Sequence, residues 1–569
     1  MRILTNSRLG CFSGNPFHNL NSKSLVIRPD TDVSGFLFIF ASNAYTDMKK
    51  TAFVLAAILW AGGISAQVLT EWRNSEIVAV GREYPTTGFM SYTSRDAAAR
   101  NDYAASPYYN LLDGIWKHKR FSSVAELPED VFTVGYSVSA WAEINIPQEK
   151  SADPIQGKVS NIPNDVAVDV FRTEFHMPFA WADKQVFVEI GEAYSGVSVF
   201  VNGEQAGYAE DSNASAMYDV TRLVKEGNNT LIIAATPWST GNQLEKDKHV
   251  FGQILGNVII KNLPKIRVRD FEISTNLTDN YRNGVLDFGV VVKSHLLNQK
   301  DVKVYFELFA PGGELLKSET KEVSLRMRGE QIVHFDVLIP EVYAWTPENP
   351  ELYTAMVRIQ HEGRYTEYIE RKVGFRSVEV SGDQIFLNGK QANLQRINVD
   401  AFPTDPYEME GAFWEMKSNN INAIRLIGGT KPELFYEMCD RYGFYVLSEA
   451  NIDSREYGFA PETTLGNNPS YLNAHLDRVK SMYERTKNYA SVIAFSLGNQ
   501  GGNGYNFYEA YLWMKSREKI RPVLYAGAGR EWNTDVVVFE SADDPIFTAE
   551  RNAAKPRPVL VDNSETPTW

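Results

Sequence analysis

The sequence predicts a multidomain protein in which two β-sandwiches precede an α/β barrel of the TIM type. Three observations predict it. At 569 residues the chain is several times the usual domain length, so about three separate cores are expected. Up to about Gly374, short apolar runs alternate with Gly-rich and Asn-Gly turns; beyond it, apolar strands alternate with helical stretches. A hydrophobic fraction of 44% and an aromatic fraction of 12% suit a β-rich globular chain and exclude a largely disordered one.

The elements follow in order. Residues 1–47 read as an upstream extension without a fold of its own. From Met48 the chain runs MKKTAFVLAAILWAGGISAQ: two lysines, an apolar run and small residues ending at Ala66. That order is a secretory signal, assigned to residues 48–66, and the run is too short for a transmembrane helix. The mature chain is thus expected to start near Gln67 and to be exported, periplasmic or secreted. It would keep Cys439 but not Cys11, the other of the two cysteines, so no disulfide framework is expected. The formal charge of −14 argues against nucleic acid or anionic membranes as partners, because either needs a basic face.

Residues 67–264 form the first sandwich. In KQVFVEIGEAYSGVSVFVNGEQAGYAEDS, Asn202-Gly203 marks a hairpin between VSVFV and EQAGY, and NNTLIIAATPW is a further strand. Residues 265–375 repeat strands such as VLDFGVVVKS, VKVYFELFAP and QIVHFDVLIP with the length and rhythm of an immunoglobulin-like sandwich. From residue 376 to 569 the pattern is ANLQRINV, a helix through Phe413 to Met416, INAIRLIG, a helix from Pro432, FYVLSEAN, a helix striped by Leu472, Leu476, Val479 and Met482, and SVIAFSLGN. Thr430 and Glu433 are placed as a capping box, and Gly443 as the helix-ending residue with positive φ. With PVLYAGA, VVVFESA and RPVLVDN the barrel strands number seven of eight, and functional groups are expected at their carboxyl ends.

These domains and motifs in this order resemble glycoside hydrolase family 2, and within it the β-galactosidases. The motifs are LLDGIWKHKRF, VFVNGEQAGYAEDS, the Trp238, Gly241, Leu244 and Glu245 pattern, WTPENPELY, VGFRSVEV with FLNGK, NNINAIRL, CDRYGFYVLSEANID, and SLGNQ followed by RPVLYAG. The resemblance implies a sugar-binding jelly roll, a linking sandwich and a barrel that cleaves β-galactosides with retention. Such cleavage uses two carboxyl groups about 5 Å apart, one an acid/base and the other a nucleophile.

At both positions this chain carries an amide. The resemblance places the acid/base at Gln500, after Asn499, and the nucleophile at Asn563, five residues after Pro558. An amide keeps the shape and hydrogen bonds of a carboxyl group but has no proton to exchange near neutral pH. Losing general acid/base help costs about a hundred- to ten-thousand-fold, and losing the nucleophile removes the covalent intermediate. Other family positions also differ. The magnesium-liganding glutamate and a nearby histidine become Asp453 and Arg455, a histidine becomes Gly428, and positions after Asn398 read Asp400, Ala401 and Phe402. The sodium- and galactose-contacting aspartate falls on Lys248, and an asparagine reaching over falls on Lys158. The family's magnesium and sodium sites are therefore expected to be lost, with no cofactor required.

Asn398, Arg425, Asn451 and Asn499 are retained, and Asn499, Asn398 and Arg425 are the substrate-binding candidates. Asp453 can be read as a cation ligand or as the partner of Arg455 in a salt bridge. Asp453 and Glu540, with Asp543 or Asp544, are candidate substitute carboxylates, the alternative for the latter group being a solvated loop; Asp562 or Glu565 is the candidate nucleophile if the last strand is shifted by one or two residues. The glycines of GNQGGNG lack a following Lys-Ser/Thr pair and read as a loop rather than a phosphate cradle. A missing eighth strand would leave strands one and seven with unpaired edges, as a shortened gene product would. Two functions are compared: a glycan-binding relative with little or no hydrolysis, and an active retaining β-galactosidase with displaced carboxylates. A β-galactoside-like glycan is the expected partner in both, and a homo-oligomer stays open.

Overall fold

The computed structural model describes residues 69–561 except 102, 104–105, 150–162, 247–250, 540, 542 and 544. The expectations placed on residues 1–66 and on Lys158, Lys248, Glu540, Asp544, Asp562, Asn563 and Glu565 lie outside the described residues.

The first sandwich, a jelly roll, faces a seven-stranded antiparallel sheet against a four-stranded one. Its central strands, Gly227–Thr236 and Val168–Met177, pair over nine residues. Inward side chains of the two sheets, including Trp116, Phe171, Val188, Val199, Ile233 and Ile260, share one core. The Asn-Gly hairpin forms as expected: Asn202 (φ 52°) and Gly203 (φ 92°) connect Gly196–Val201 to Glu204–Ala209, with Val201 opposite Glu204. Positive φ at both central residues matches the turn's twist to that of its strands.

The second sandwich packs Ile266–Thr278, Asn283–Ser294 and Glu330–Ile339 over a sheet containing Lys300–Phe309, Leu315–Leu325, Tyr353–His361 and Arg364–Val373. Phe306 sits between Phe288 and Phe335, each with its ring centroid 4.9 Å away. Trp345 anchors this sandwich to the barrel; its buried indole donates to the carbonyl of Asp440 at 2.8 Å.

The barrel wall contains β1 (Arg396–Val399), β2 (Ala423–Leu426), β3 (Tyr445–Glu449), β4 (Val492–Ser496) and β5 (Val523–Leu524), parallel and in sequence order. A separate parallel pair, β6 (Val537–Phe539) and β7 (Val559–Val561), meets β5 through a bridge between Leu524 and Val536. Among the described residues no ladder joins β7 to β1. Instead, the guanidinium of Arg396 on β1 donates to the Val561 carbonyl on β7 at 2.9 Å. A cavity of about 380 Å³, lined in part by Leu394, Leu447, Ala494, Leu524 and Leu560, lies along this wall.

Helix α1 (Pro406–Ser418) starts where Asp405 accepts from the Tyr407 and Glu408 amides, with Pro406 in the first turn. It buries Met409, Phe413 and Met416. Helix α2 (Glu433–Tyr442) ends at Gly443 (φ 74°), where any side chain would strike Pro347. The expected capping box at its start is not formed. Pro432 holds the N-cap position without a side-chain bond, and the Glu433 carboxyl is packed against Gly88, drawn there by tertiary contact. Helix α3 (Leu472–Thr486) turns Val479 and Met482 inward, and α4 (Tyr505–Arg517) packs beside it. No helix of the described residues is long and apolar enough to cross a membrane.

Candidate functional site at the barrel mouth

The carboxyl ends of β1–β4 and two jelly-roll loops build one polar cluster. The loops are tied to the barrel: the Asp453 backbone amide donates to the Leu244 carbonyl at 2.6 Å, and the Asn213 side-chain amide donates to the Gly428 carbonyl. Asn451 donates to Asp211 at 2.9 Å. From beneath, Arg478 of α3 donates to Glu245 at 3.0 Å and to the carbonyls of Glu210 and Gly241. The first sandwich thus forms one wall of the mouth.

Its floor is an ion pair. Arg425 at the end of β2 and Glu449 at the end of β3 both have 0% side-chain exposure, with Nη2 3.4 Å from Oε2. The Gly428 amide and the Ser496 hydroxyl each donate to Glu449 at 3.2 Å. Burial pushes the Glu449 carboxyl up to about 7; Arg425 and these hydrogen bonds oppose the rise, and nearby Asp453 adds to it.

The rim carries Asp453 and Arg455. The guanidinium clasps the carboxylate, with Nε 2.8 Å from Oδ1 and 3.1 Å from Oδ2, and Nη2 also donates to Oδ2. Asn499 at the end of β4 adds a bond to Oδ2 at 3.0 Å. Both Asp453 oxygens are thus engaged by the Arg455 cation, the salt-bridge arrangement of the two expected for this residue. Among the described residues no three His, Cys, Asp or Glu side chains gather as a metal site. Asp400 is paired with Lys246 in the same region.

Gln500 follows Asn499 at this rim. Its carbonyl accepts from the Ser454 amide at 2.8 Å, and its half-buried side chain makes no hydrogen bond to the described residues. Asn398, buried at the end of β1, accepts from Arg396. The structure therefore brings Asn398, Arg425, Asp453 and Asn499 to the strand ends expected for them. Of the substitute carboxylates the structure describes Asp453, clasped as above, and Asp543, which is exposed, its amide 3.2 Å from the Ser541 hydroxyl.

Gly428, where the resemblance placed a histidine, has φ +76°, and a Cβ there would lie 3.3 Å from Asp400. The backbone is one that a side chain adopts only under strain. Sequence reasoning missed Glu449, Asp211 and Lys246. Glu449 left a signal, a lone carboxylate closing the apolar strand YVLSE; the other two sit in loops whose approach only the folded chain decides.

Three descriptions match successive parts of this architecture: "Glycosyl hydrolases family 2, sugar binding domain" over residues 110–264, "Glycosyl hydrolases family 2" over 266–376, and "Glycosyl hydrolases family 2, TIM barrel domain" over 378–550. The chain belongs to glycoside hydrolase family 2. It is 29% identical over 498 residues to a protein named β-galactosidase from Psychromonas ingrahamii, covering 82% of this chain and 47% of that one. To the β-galactosidase of Priestia megaterium it is 27% identical over 507 residues, covering 83% and 49%. The chain spans about half the length of the curated relatives it matches. Among solved structures, a Bacteroides uniformis β-glucuronidase shares the fold with a TM-score of 0.66 at 17% identity, over 80% of this chain and 58% of that one. A Ruminococcus gnavus β-glucuronidase does so with a TM-score of 0.61 at 19% identity, over 78% and 79%.

Proposed function

We propose that the barrel mouth binds a β-galactoside-like glycan and hydrolyses it slowly or not at all. The observation that carries this reading is Gln500, a side chain without hydrogen bonds to the described residues, at the position where the family resemblance puts the proton-exchanging carboxyl of retaining chemistry. No neighbour in the described mouth replaces it. Asp453 is clasped by Arg455 and Asn499, and Glu449 is sealed beneath Arg425. An unengaged amide can still donate to and accept from a sugar hydroxyl. The family membership and the names of the curated relatives support the glycan class.

The test is the chain from Gln67 on a chromogenic β-galactoside, beside calorimetric titration with galactose and lactose. Saturable binding with turnover at least a hundred-fold below a competent family enzyme is expected. Turnover comparable to that enzyme overturns the reading, and so does the absence of any saccharide binding. The double variant Gln500→Glu with Asn563→Glu is expected to raise turnover at least tenfold.

A further inference from the structure

A pocket of about 80 Å³ lies where the two sandwiches and the barrel meet, and shares no lining residue with the barrel mouth's polar cluster. The segment 82–89 runs along it. The jelly roll contributes Lys261 and Glu189, the second sandwich Arg267 and Glu367, and the barrel Glu433 and Arg485.

Most of its charges are already matched. Lys261 pairs with Glu189, Arg82 with Asp477, Arg269 with Glu330, and Arg485 donates to Ser215 at 2.6 Å. Arg267 differs. Only 3% exposed, its guanidinium lies 5.0 Å from the Phe187 ring, and its one hydrogen bond, from Nη1 to the Val268 carbonyl, is 3.4 Å long. Nε and Nη2 are buried without a partner among the described residues.

Among the described residues no carboxylate hydrogen-bonds Arg267, although Glu367 and Glu83 both act on its charge, Glu83 lying 3.9 Å from Lys293. Glu367 acts on Arg267 electrostatically, but its oxygens accept from the Val268 amide at 2.7 Å and the Ser91 hydroxyl at 2.8 Å. Burial also pushes Glu367 up to about 7, so near neutral pH it neutralises only part of a charge. Glu433, tucked beside Gly88, acts on Lys261 and Tyr109 at another part of the pocket. A buried guanidinium with unmet donors is costly, and the fork it presents matches a planar or tetrahedral oxyanion. The space of about 80 Å³ is that of roughly two or three waters, enough for one small ion.

We propose that Arg267 is the anchor of a binding site for one small inorganic oxyanion, of the phosphate or sulfate class, at the junction of the three domains. Water could satisfy the donors, but only an anion also gives the guanidinium a charge-assisted partner. An ion held there would touch groups from all three bodies and stabilise their arrangement.

The probe is inorganic phosphate at constant ionic strength, added to the full chain. One equivalent is expected to bind in equilibrium dialysis, with a saturable rise in unfolding midpoint of about 2–5 °C at a hundred-fold excess over Kd. Arg267→Met should abolish both effects. Arg267→Lys keeps the charge but loses the fork and is expected to weaken phosphate binding at least tenfold, a result that stands even if the Met variant does not fold. The proposal falls if neither phosphate nor sulfate binds the parent chain saturably, if chloride at equal ionic strength reproduces the shift, or if Arg267→Lys binds phosphate as the parent does.

Discussion

The floor and the rim of the barrel mouth each hold an arginine–carboxylate pair, but their surroundings differ. Arg425 and Glu449 are wholly enclosed, whereas Arg455 keeps 40% of its side chain in solvent above an Asp453 that keeps 3%. A buried pair is held by desolvation: once enclosed, neither charge can lose its partner without large cost. A pair open to water is screened and replaceable. The floor therefore reads as scaffold, and the rim is where changes can be made without unfolding the barrel.

The largest expected effect tests the floor. Arg425→Met should cost about 3–5 kcal/mol by leaving Glu449 buried and unpaired. Urea unfolding measures it, and a loss below about 1 kcal/mol would erase the distinction between the pairs.

Next comes pH. Glu449 is raised from an ordinary 4.5 to about 7. Between those values the folded chain holds a proton that the unfolded chain has released, so stability falls as pH rises through this window and levels off above it. This one group contributes about 3 kcal/mol of that fall. Glu210, Glu245 and Glu367 are raised to about 7 by burial as well and act in the same sense. The informative quantity is thus the difference between the parent and Glu449→Gln, whose stability should be less sensitive between pH 4.5 and 7. Equal slopes in thermal unfolding would show that Glu449 does not titrate in this range.

A smaller effect is expected at the join between floor and rim. Gly428→His puts a side chain at φ +76° beside Asp400 and should cost about 1–3 kcal/mol. A neutral result in the same unfolding assay would mean that this backbone is not held by its surroundings. Smallest is Arg455→Met, expected to cost about 1–2 kcal/mol: the cation is partly in water, and Asp453, though buried, keeps its bond from Asn499. The same variant frees Asp453 and offers a sharper readout: galactose affinity should change more than stability does.

Much of this organisation was legible beforehand. Alternating apolar runs located both sandwiches, the change of period after Gly374 located the barrel, and Asn202-Gly203 and Gly443 took the positive φ their residue types invite. The retained Asn398, Arg425 and Asn499 stand at strand ends because a parallel barrel presents those ends together. The capping box at Thr430 and Glu433 was misplaced for an instructive reason. Its local pattern was sound, but the Glu433 carboxyl packs into the seam against Gly88, 345 positions earlier in the chain.

The sequence by itself determined the order of the three folds, the family likeness and the amide at position 500, since these depend on residue type and short-range period. Only the tertiary structure decided which charges face one another: Glu449 beneath Arg425, Asp453 within Arg455, and Arg267 with two nitrogens unpartnered among the described residues at the three-domain seam. The physical reason is that burial and distance set the strength of charge, and both arise from contacts between segments far apart in the chain.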